Sequence, residues 1–367
     1  MAKDSKKSKT KSSKRKLNLK GKVTLVLGIL AVIAIVVVGV VYGTYKSYYN
    51  KMNYQAAVER TELGRGMQRI LNGDIGTLMW SDHVYNVLLI GDDSYRDDGA
   101  RSDAMILVSI NQNTQQINLV SFMRDSWVHI PGHGAERLNQ AYAIGGAPLL
   151  VDTIETNFHV RIDNYVQVDF YAFIDVVDAL GGIEIDVKEE EVPVLNEPYI
   201  AHLNKLLGRP RAQDRLEHGG VQTLNGVQAL SYARIRYMEG SDFARTERQR
   251  KVISACFDKF KDASVTELLG VLEVVLPHIT TDISEDKMLG LLADTTTKYK
   301  DYEIVQYRVP YDDTWEDWIH ELTGETKDVL SIDIETNSQY LIRDLYGIEF
   351  LDEDVEINSE ETIEGEE

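Results

Sequence analysis

Apolar and polar positions alternate along the chain in a way that predicts most of its elements. The longest apolar run, residues 23–45, holds 23 residues without a charge and reads almost entirely Val, Ile, Leu, Ala and Gly. As a helix it is long enough to cross a hydrocarbon core of about 30 Å, so one N-terminal transmembrane helix is expected there. Residues 46–80 mix Tyr, Lys, Glu and Arg with apolar positions and few breakers, the pattern of a helical stalk. Residues 85–90 (YNVLLI) form a short apolar run ending at Gly91, as a buried strand would. Residues 104–110 (AMILVSI) and 116–122 (QINLVSF) read as two more strands, and the short polar stretch between them suits a hairpin.

Farther on, helices and strands alternate. Gly145-Gly146 precedes a helical pattern at Leu149, Leu150, Ile154 and Phe158, and residues 165–169 (YVQVD) alternate like a strand. Residues 170–180 read as a helix stopped by Gly181-Gly182, and residues 183–187 (IEIDV) alternate again. Residues 188–215 show little apolar period and read as an exposed excursion. Helical patterns follow at 223–232, 246–260, 268–276 and 286–295, then a strand at 303–309. No repeat or low-complexity linker divides residues 81–350. They are expected to form a single α/β domain, an α/β/α layered fold around a mixed central sheet.

Charge then orients these pieces. Residues 1–22 carry ten basic residues and one acid. Such a run holds its end in the cytoplasm and places the domain outside the cell. The apolar run is too long for a signal core and no Ala-x-Ala site follows, so an uncleaved anchor is expected. The remaining chain has 29 basic and 58 acidic residues, net −29, which excludes a body built to bind nucleic acid. Residues 351–367 hold nine acids and no base and read as a disordered acidic tail. The lone cysteine, Cys256, rules out an intramolecular disulfide and reads as a small buried residue on a helix.

Three polar clusters carry candidate chemistry. The first is Gly91-Asp92-Asp93-Ser94-Tyr95-Arg96 with Gly99-Ala100-Arg101-Ser102-Asp103, at the end of a strand where open α/β sheets place ligands. Its carboxylates suit Mg²⁺ and its guanidiniums suit phosphate oxygens, although a solvated loop of salt bridges would have the same composition. The second is an Arg-rich island in an acidic chain. Residues 231–251 hold six basic and three acidic residues, five of the six being Arg. Arg matches phosphate bidentately, and Arg245 and Gln249 share a helical face near that helix's N-terminus, where anions are favoured. A surface salt-bridge network is the plainer alternative. The third is Ser121-Phe122-Met123-Arg124-Asp125, again at a strand end. Together the three suggest one polyanion site. There is no phosphate loop of the G-x-x-x-x-G-K-[ST] type and no G-x-S-x-G elbow. His129 and His133 are separated by Pro131 and Gly132, which spoils a helical zinc pair.

These residues, taken in order, resemble the LytR–CpsA–Psr family of cell-envelope proteins. The likeness runs over residues 86–252 in five segments: NVLLIGDDSYRDDGARSDAMILVSIN, INLVSFMRDSWVHIPG, RLNQAYAIGG, YVQVDFYAFIDVVDALGGIEIDV and LNGVQALSYARIRYMEGSDFARTERQRKVI. The resemblance implies a membrane-anchored phosphotransferase that moves an anionic glycopolymer, of teichoic acid or capsule type, from an undecaprenyl-diphosphate carrier to a hydroxyl of peptidoglycan. It implies Mg²⁺ as cofactor and an apolar tunnel for the prenyl chain. Carried over by motif, Asp93, Arg101, Asp103 and Asp242 are the implied catalytic residues, with Asp93 and Asp103 holding the metal. Arg124, Arg234, Arg236, Arg245 and Gln249 are the implied diphosphate-binding set. The hydroxyl proton would go to Asp242 or Asp93. Met123 replaces a usual Pro, and Val128 stands where many members carry a second Arg, which predicts a weaker or retuned phosphate grip. The apolar helices near 149–158 and 170–180 are candidates to wall the lipid, although ordinary core packing would give the same pattern. A lipid-diphosphate hydrolase and a non-catalytic regulatory membrane protein are the competing readings.

Overall fold

The computed structural model describes residues 78–92 and 102–348 apart from a few short gaps, together with parts of 42–55. The chain divides into two compact units, Met1–Asn50 and Lys51–Glu367. In the first, the Tyr45 and Tyr49 rings lie 6.2 Å apart and Lys46 sits over the Tyr42 ring. The predicted span 23–45 lies almost wholly outside the described residues, and the tails 1–22 and 351–367 lie entirely outside them. Among the described residues no helix is long and apolar enough to cross a membrane.

The second unit is built on a mixed sheet. In chain order its elements begin with β1 (Asn53–Tyr54), β2 (Val84–Asp92), β3 (Ser102–Asn111), β4 (Gln116–Phe122), β5 (Trp127–Ile130) and β6 (Gly134–Arg137). They continue with α1 (Leu138–Phe158), β7 (Asn164–Val168), α2 (Phe170–Ala179), β8 (Ile183–Val187), β9 (Gly220–Leu224), α3 (Gly226–Ala233) and α4 (Ser241–Asp262). The last are β10 (Ile279–Thr281), α5 (Glu285–Thr297), β11 (Glu303–Val309), β12 (Trp315–Leu322), β13 (Glu325–Ile332) and α6 (Ile334–Tyr346). The seven-stranded sheet has the order β1-β10-β7-β2-β3-β4-β11. β2, β3 and β4 form an antiparallel meander that contains the expected β3–β4 hairpin, and β7 and β11 add to it in parallel. Within the range expected to be a helical stalk, residues 53–54 are extended and pair in parallel with β10, and residues 56–77 lie outside the described residues.

Period-two alternation decides what each sheet face meets. Leu88 and Ile90 of β2, Met105 and Leu107 of β3, and Val120 and Phe122 of β4 point to one side, where α1 and α6 cover them. Leu89, Gly91, Ala104 and Ile106 point to the other, toward α2 and α4. Helices therefore cover both faces, as the strand patterns require. α1 is broken by non-helical backbone at Gly145 and Gly146, so the predicted helix at 149–158 is its second half.

A second core joins α2, α3, α4 and the β8–β9 hairpin to residues 191–206. The expected exposed excursion at 188–215 is thus corrected over much of its length. Val192, Leu195, Ile200 and Leu203 are buried in short helical turns. Their spacing is helical, but Pro193 and Pro198 interrupt the run and hide the period. The β12–β13 hairpin and α6 go beyond the sequence reading. α6 is capped by Asp333, which accepts from the Thr336 N–H, and ends at Gly347 with φ of 70°. The hairpin bears on the site: the Leu330 N–H donates to the Asp125 carbonyl at 2.9 Å and props the loop that carries Arg124.

Candidate functional site

Four segments converge where β2, β3 and β4 meet the start of α4. Asp103 stands at the beginning of β3, and Arg124 follows the end of β4. Arg234 and Arg236 lie just past α3, and Asp242, Arg245 and Gln249 lie on the first turns of α4. Each delivery has a local cause. α3 starts at a capping box, Asn225 with Gln228, and ends at Arg234. The turn beyond is pinned twice: the Arg236 N–H donates to the Tyr199 hydroxyl at 2.7 Å, and Arg248 bridges buried Glu191 at 2.8 Å while reaching the Ile235 carbonyl.

Arg124 is the hub. Its guanidinium pairs with Asp103 at 2.5 Å and lies 3.3 Å from both Asp125 and Asp242. Burial alone would lower its pKa, but Asp125, Asp103 and Asp242 together outweigh that and raise it. Asp242 gathers three guanidiniums: Arg245 at 2.6 Å, Arg124 at 3.3 Å and Arg236 at 3.4 Å. Arg245 is only 4% exposed, and its pKa is pushed down to about 10 by burial and then by the charge of Arg124. Arg234 lies over the Phe170 ring, 4.5 Å from its centroid.

Behind this polar mouth runs a cavity of about 480 Å³. Asp103, Arg234, Arg236, Arg245 and Gln249 line one end of it. Apart from Asp169 and Tyr199, the rest is apolar, with Phe170, Phe173 and Val176 from α2 and Ile253, Phe257 and Phe260 from α4. A pocket of that size with a few convergent charges suits an amphiphile with an anionic head. Cys256 also lines it, and burial pushes the thiol up to about 12, which leaves it an inert wall residue.

Of the predicted site residues, Asp103, Arg124, Arg234, Arg236, Asp242, Arg245 and Gln249 come together here. Asp93 and Arg101 lie outside the described residues. The lipid-wall expectation divides: α2 lines the cavity, whereas residues 149–158 of α1 pack on the opposite sheet face. Val128 is buried in that same opposite core, so its side chain is remote from the mouth. Met123 is buried with its sulfur 3.8 Å from the Thr246 hydroxyl, seating β4 against α4. Sequence reasoning named Asp125 in the third cluster without giving it a role, and it missed Tyr199, whose segment was read as exposed.

Mg²⁺ is commonly held through one or two carboxylates, waters and substrate phosphates rather than an all-protein cage. Asp103, on the cavity wall, supplies one such carboxylate. Among the described residues no group of three or more His, Cys, Asp or Glu is placed to hold a metal unaided. That donor set fits an ion shared with a bound diphosphate.

This fold and site define an α/β protein whose arginine-lined mouth opens into an apolar cavity. The LytR_cpsA_psr family profile matches residues 41–338, and the chain belongs to that family. It is 30% identical over 254 residues to the polyisoprenyl-teichoic acid–peptidoglycan teichoic acid transferase TagU of Oceanobacillus iheyensis, covering 67% of this chain and 73% of that protein. It is 31% identical over 265 residues to the Bacillus subtilis transferase TagT, covering 70% and 77%. A solved structure of TagT bound to LIIa-WTA aligns with TM-score 0.56 and 27% identity over 80% of this chain and 96% of that one. A structure of TagT with bound octaprenyl pyrophosphate lipid aligns with TM-score 0.52 and 27% identity, over 74% and 94%.

Proposed function

We propose that this protein is a membrane-anchored phosphotransferase that moves an anionic glycopolymer of the teichoic acid or capsule class from a polyprenyl-diphosphate carrier to peptidoglycan. The observation that carries the reading is the single cavity with arginines at its mouth and aliphatic and aromatic walls behind. That arrangement matches a diphosphate joined to a prenyl chain. The names of the relatives and the octaprenyl pyrophosphate held by one of them support it. The basic residues 1–22 and the uncharged run 23–45 support an anchor with the domain outside the cell.

In the reaction, a hydroxyl oxygen of the acceptor attacks the phosphorus that bears the sugar. A new P–O bond forms to the acceptor, the bridging P–O bond breaks, and prenyl phosphate leaves with its electron pair. The hydroxyl proton passes to a base at the mouth. Charge gathers on the phosphoryl oxygens, so catalysis is mostly positioning and charge neutralisation. Arg124, Arg234, Arg236 and Arg245 bind and orient those oxygens. The oxygens of Asp242 already engage three guanidiniums, which supports a role in aligning the arginines rather than in taking the proton. Asp103, with Asp93 as its sequence-predicted companion, would hold Mg²⁺, whose chemistry is to neutralise phosphate charge.

The test uses the full chain in detergent with a lipid-diphosphate-linked polymer and peptidoglycan. Polymer should appear on peptidoglycan with equal release of prenyl phosphate, and a chelator should slow both. Wild-type transfer by a chain carrying Arg234→Ala and Arg236→Ala would refute the site. Polymer phosphate released at the same rate with or without peptidoglycan would make the protein a hydrolase.

A further inference from the structure

Helix α4 has a second arginine-bearing face that the diphosphate mouth does not use. Arg250 is 9% exposed, and its Nε and Nη1 are buried without a hydrogen-bond partner. Glu247, one turn earlier, is engaged by Lys251 at 2.7 Å. Arg308 of β11 reaches the same helix, its guanidinium 4.2 Å from the centroid of the Phe243 ring. Phe243 is seven residues before Arg250, on the same helical face, and packs on Trp315 at 4.6 Å. Arg308 donates its Nε to the Pro310 carbonyl at 3.1 Å and pairs with Asp312, whose side chain is 90% exposed. Burial first, and the charge of Arg308 second, push the Arg250 pKa down to about 10. A buried guanidinium with idle donors beside a second guanidinium is costly, and a bound oxyanion offsets that cost.

The pair also lies beside the mouth. Arg308 is in register with Ser121 on the parallel strand β4, three residues before Arg124. At about 3.3 Å per residue the two arginines are separated by roughly 10 Å along the sheet. Asp242 of the mouth directly precedes Phe243 in α4. We infer that Arg250 and Arg308 form a second oxyanion site, which takes a phosphate of the glycopolymer chain as that chain leaves the mouth. The inference rests on the donor proposed above. With the lipid in the cavity, the polymer extends away from it, past Arg245 and Arg124. A ligand with phosphates at intervals meets arginines at intervals, and the Phe243–Trp315 pair offers an apolar surface to the sugars between them.

The test compares two donors on the full chain in detergent. One carries phosphodiester-linked repeats, and the other has the same lipid diphosphate and first sugar but no phosphodiesters. Arg250→Gln should raise KM for the first donor about tenfold with kcat unchanged and leave the second donor unaffected. Arg308→Gln should give the same pattern, and Arg250→Lys an intermediate one. Equal losses on both donors would show a structural role only, and a raised KM for peptidoglycan alone would assign the site to the acceptor; either overturns the inference, as does no effect. A soluble glycerol phosphate oligomer without lipid, titrated by calorimetry, separates this from the transfer reading. Arg250-dependent binding by a chain that transfers nothing supports the site and refutes transferase activity. Arg250-independent binding by an active chain refutes the site alone.

Discussion

Replacing Arg124 by methionine keeps an unbranched apolar stem and removes the cation on which three carboxylates converge. Asp103 sits 2.5 Å from it, and Asp125 and Asp242 sit at 3.3 Å. At about 4 Å and an effective dielectric near 20, one pair of unit charges is worth about 4 kcal/mol before desolvation is counted. The Arg124 side chain is 14% exposed, so it belongs with buried pairs, where removing one partner costs about 3–5 kcal/mol. We expect Arg124→Met to lose about 3 kcal/mol of stability, largely because Asp103 loses its closest cation and Asp125 keeps only Arg137, at 3.8 Å. Transfer should fall further than stability explains, by about 10²–10³, the usual effect of losing one preorganised donor to developing charge. Pairing it with Asp103→Asn removes a carboxylate that has lost its closest cation, which should restore part of the stability and none of the transfer. Thermal unfolding and transfer kinetics on the full chain in detergent read the two effects separately. An Arg124→Met chain that transfers at the wild-type rate, or a double variant that regains transfer along with stability, would refute the argument.

Other outcomes follow from the same geometry. Arg245 binds an anion only as a cation, so affinity for pyrophosphate should be full well below its pKa of about 10 and fall as pH rises through that value. Asp242→Asn removes a charge that favours the cation, so the fall should move to lower pH; a fluorescence titration at several pH values checks this. Phe173→Asp places a carboxylate in the apolar part of the cavity and should weaken binding of a prenyl diphosphate by roughly a hundredfold while sparing pyrophosphate, as competition binding would show. Gly226→Ala puts a Cβ 2.3 Å from the Ile174 carbonyl oxygen, where α3 crosses α2. The overpacking should cost about 3 kcal/mol and lower the melting temperature by on the order of 5–10 °C.

The central strands were legible because buried strands are continuous apolar runs, and β2, β3 and β4 are such runs. The mouth was legible for an electrostatic reason. Five arginines within residues 231–251 of an otherwise acidic chain stand out by composition before any geometry is known. Composition alone did not say which of them do what. Arg248 and Arg250 are neighbours of Gln249 in sequence, yet a helix turns about 100° per residue. Arg248 therefore locks Glu191, Gln249 meets the cavity and Arg250 meets β11. The β12–β13 hairpin was hidden because its strand WEDWIHEL mixes acids and aromatics without a clean alternation. The cavity wall in α1 was misplaced because apolar period reports burial but not which sheet face provides it.

The acidic body poses a question that the site geometry answers. A domain with this excess of carboxylates repels a polyanion at long range, so attraction has to be local. Across the mouth, four guanidiniums from Arg124, Arg234, Arg236 and Arg245 face the carboxylates of Asp103, Asp125 and Asp242. The carboxylates nearly neutralise the arginines, hold their forks in place and keep four mutually repelling cations close together. An entering diphosphate need not create this order, only exchange some of these pairs for its own oxygens. Such a site gains little from bulk charge and much from shape, so it discriminates against isolated anions that cannot span several guanidiniums. The apolar cavity behind then adds affinity only for a diphosphate that carries a lipid. A membrane-embedded donor meets both conditions, and a soluble sugar nucleotide meets only the first.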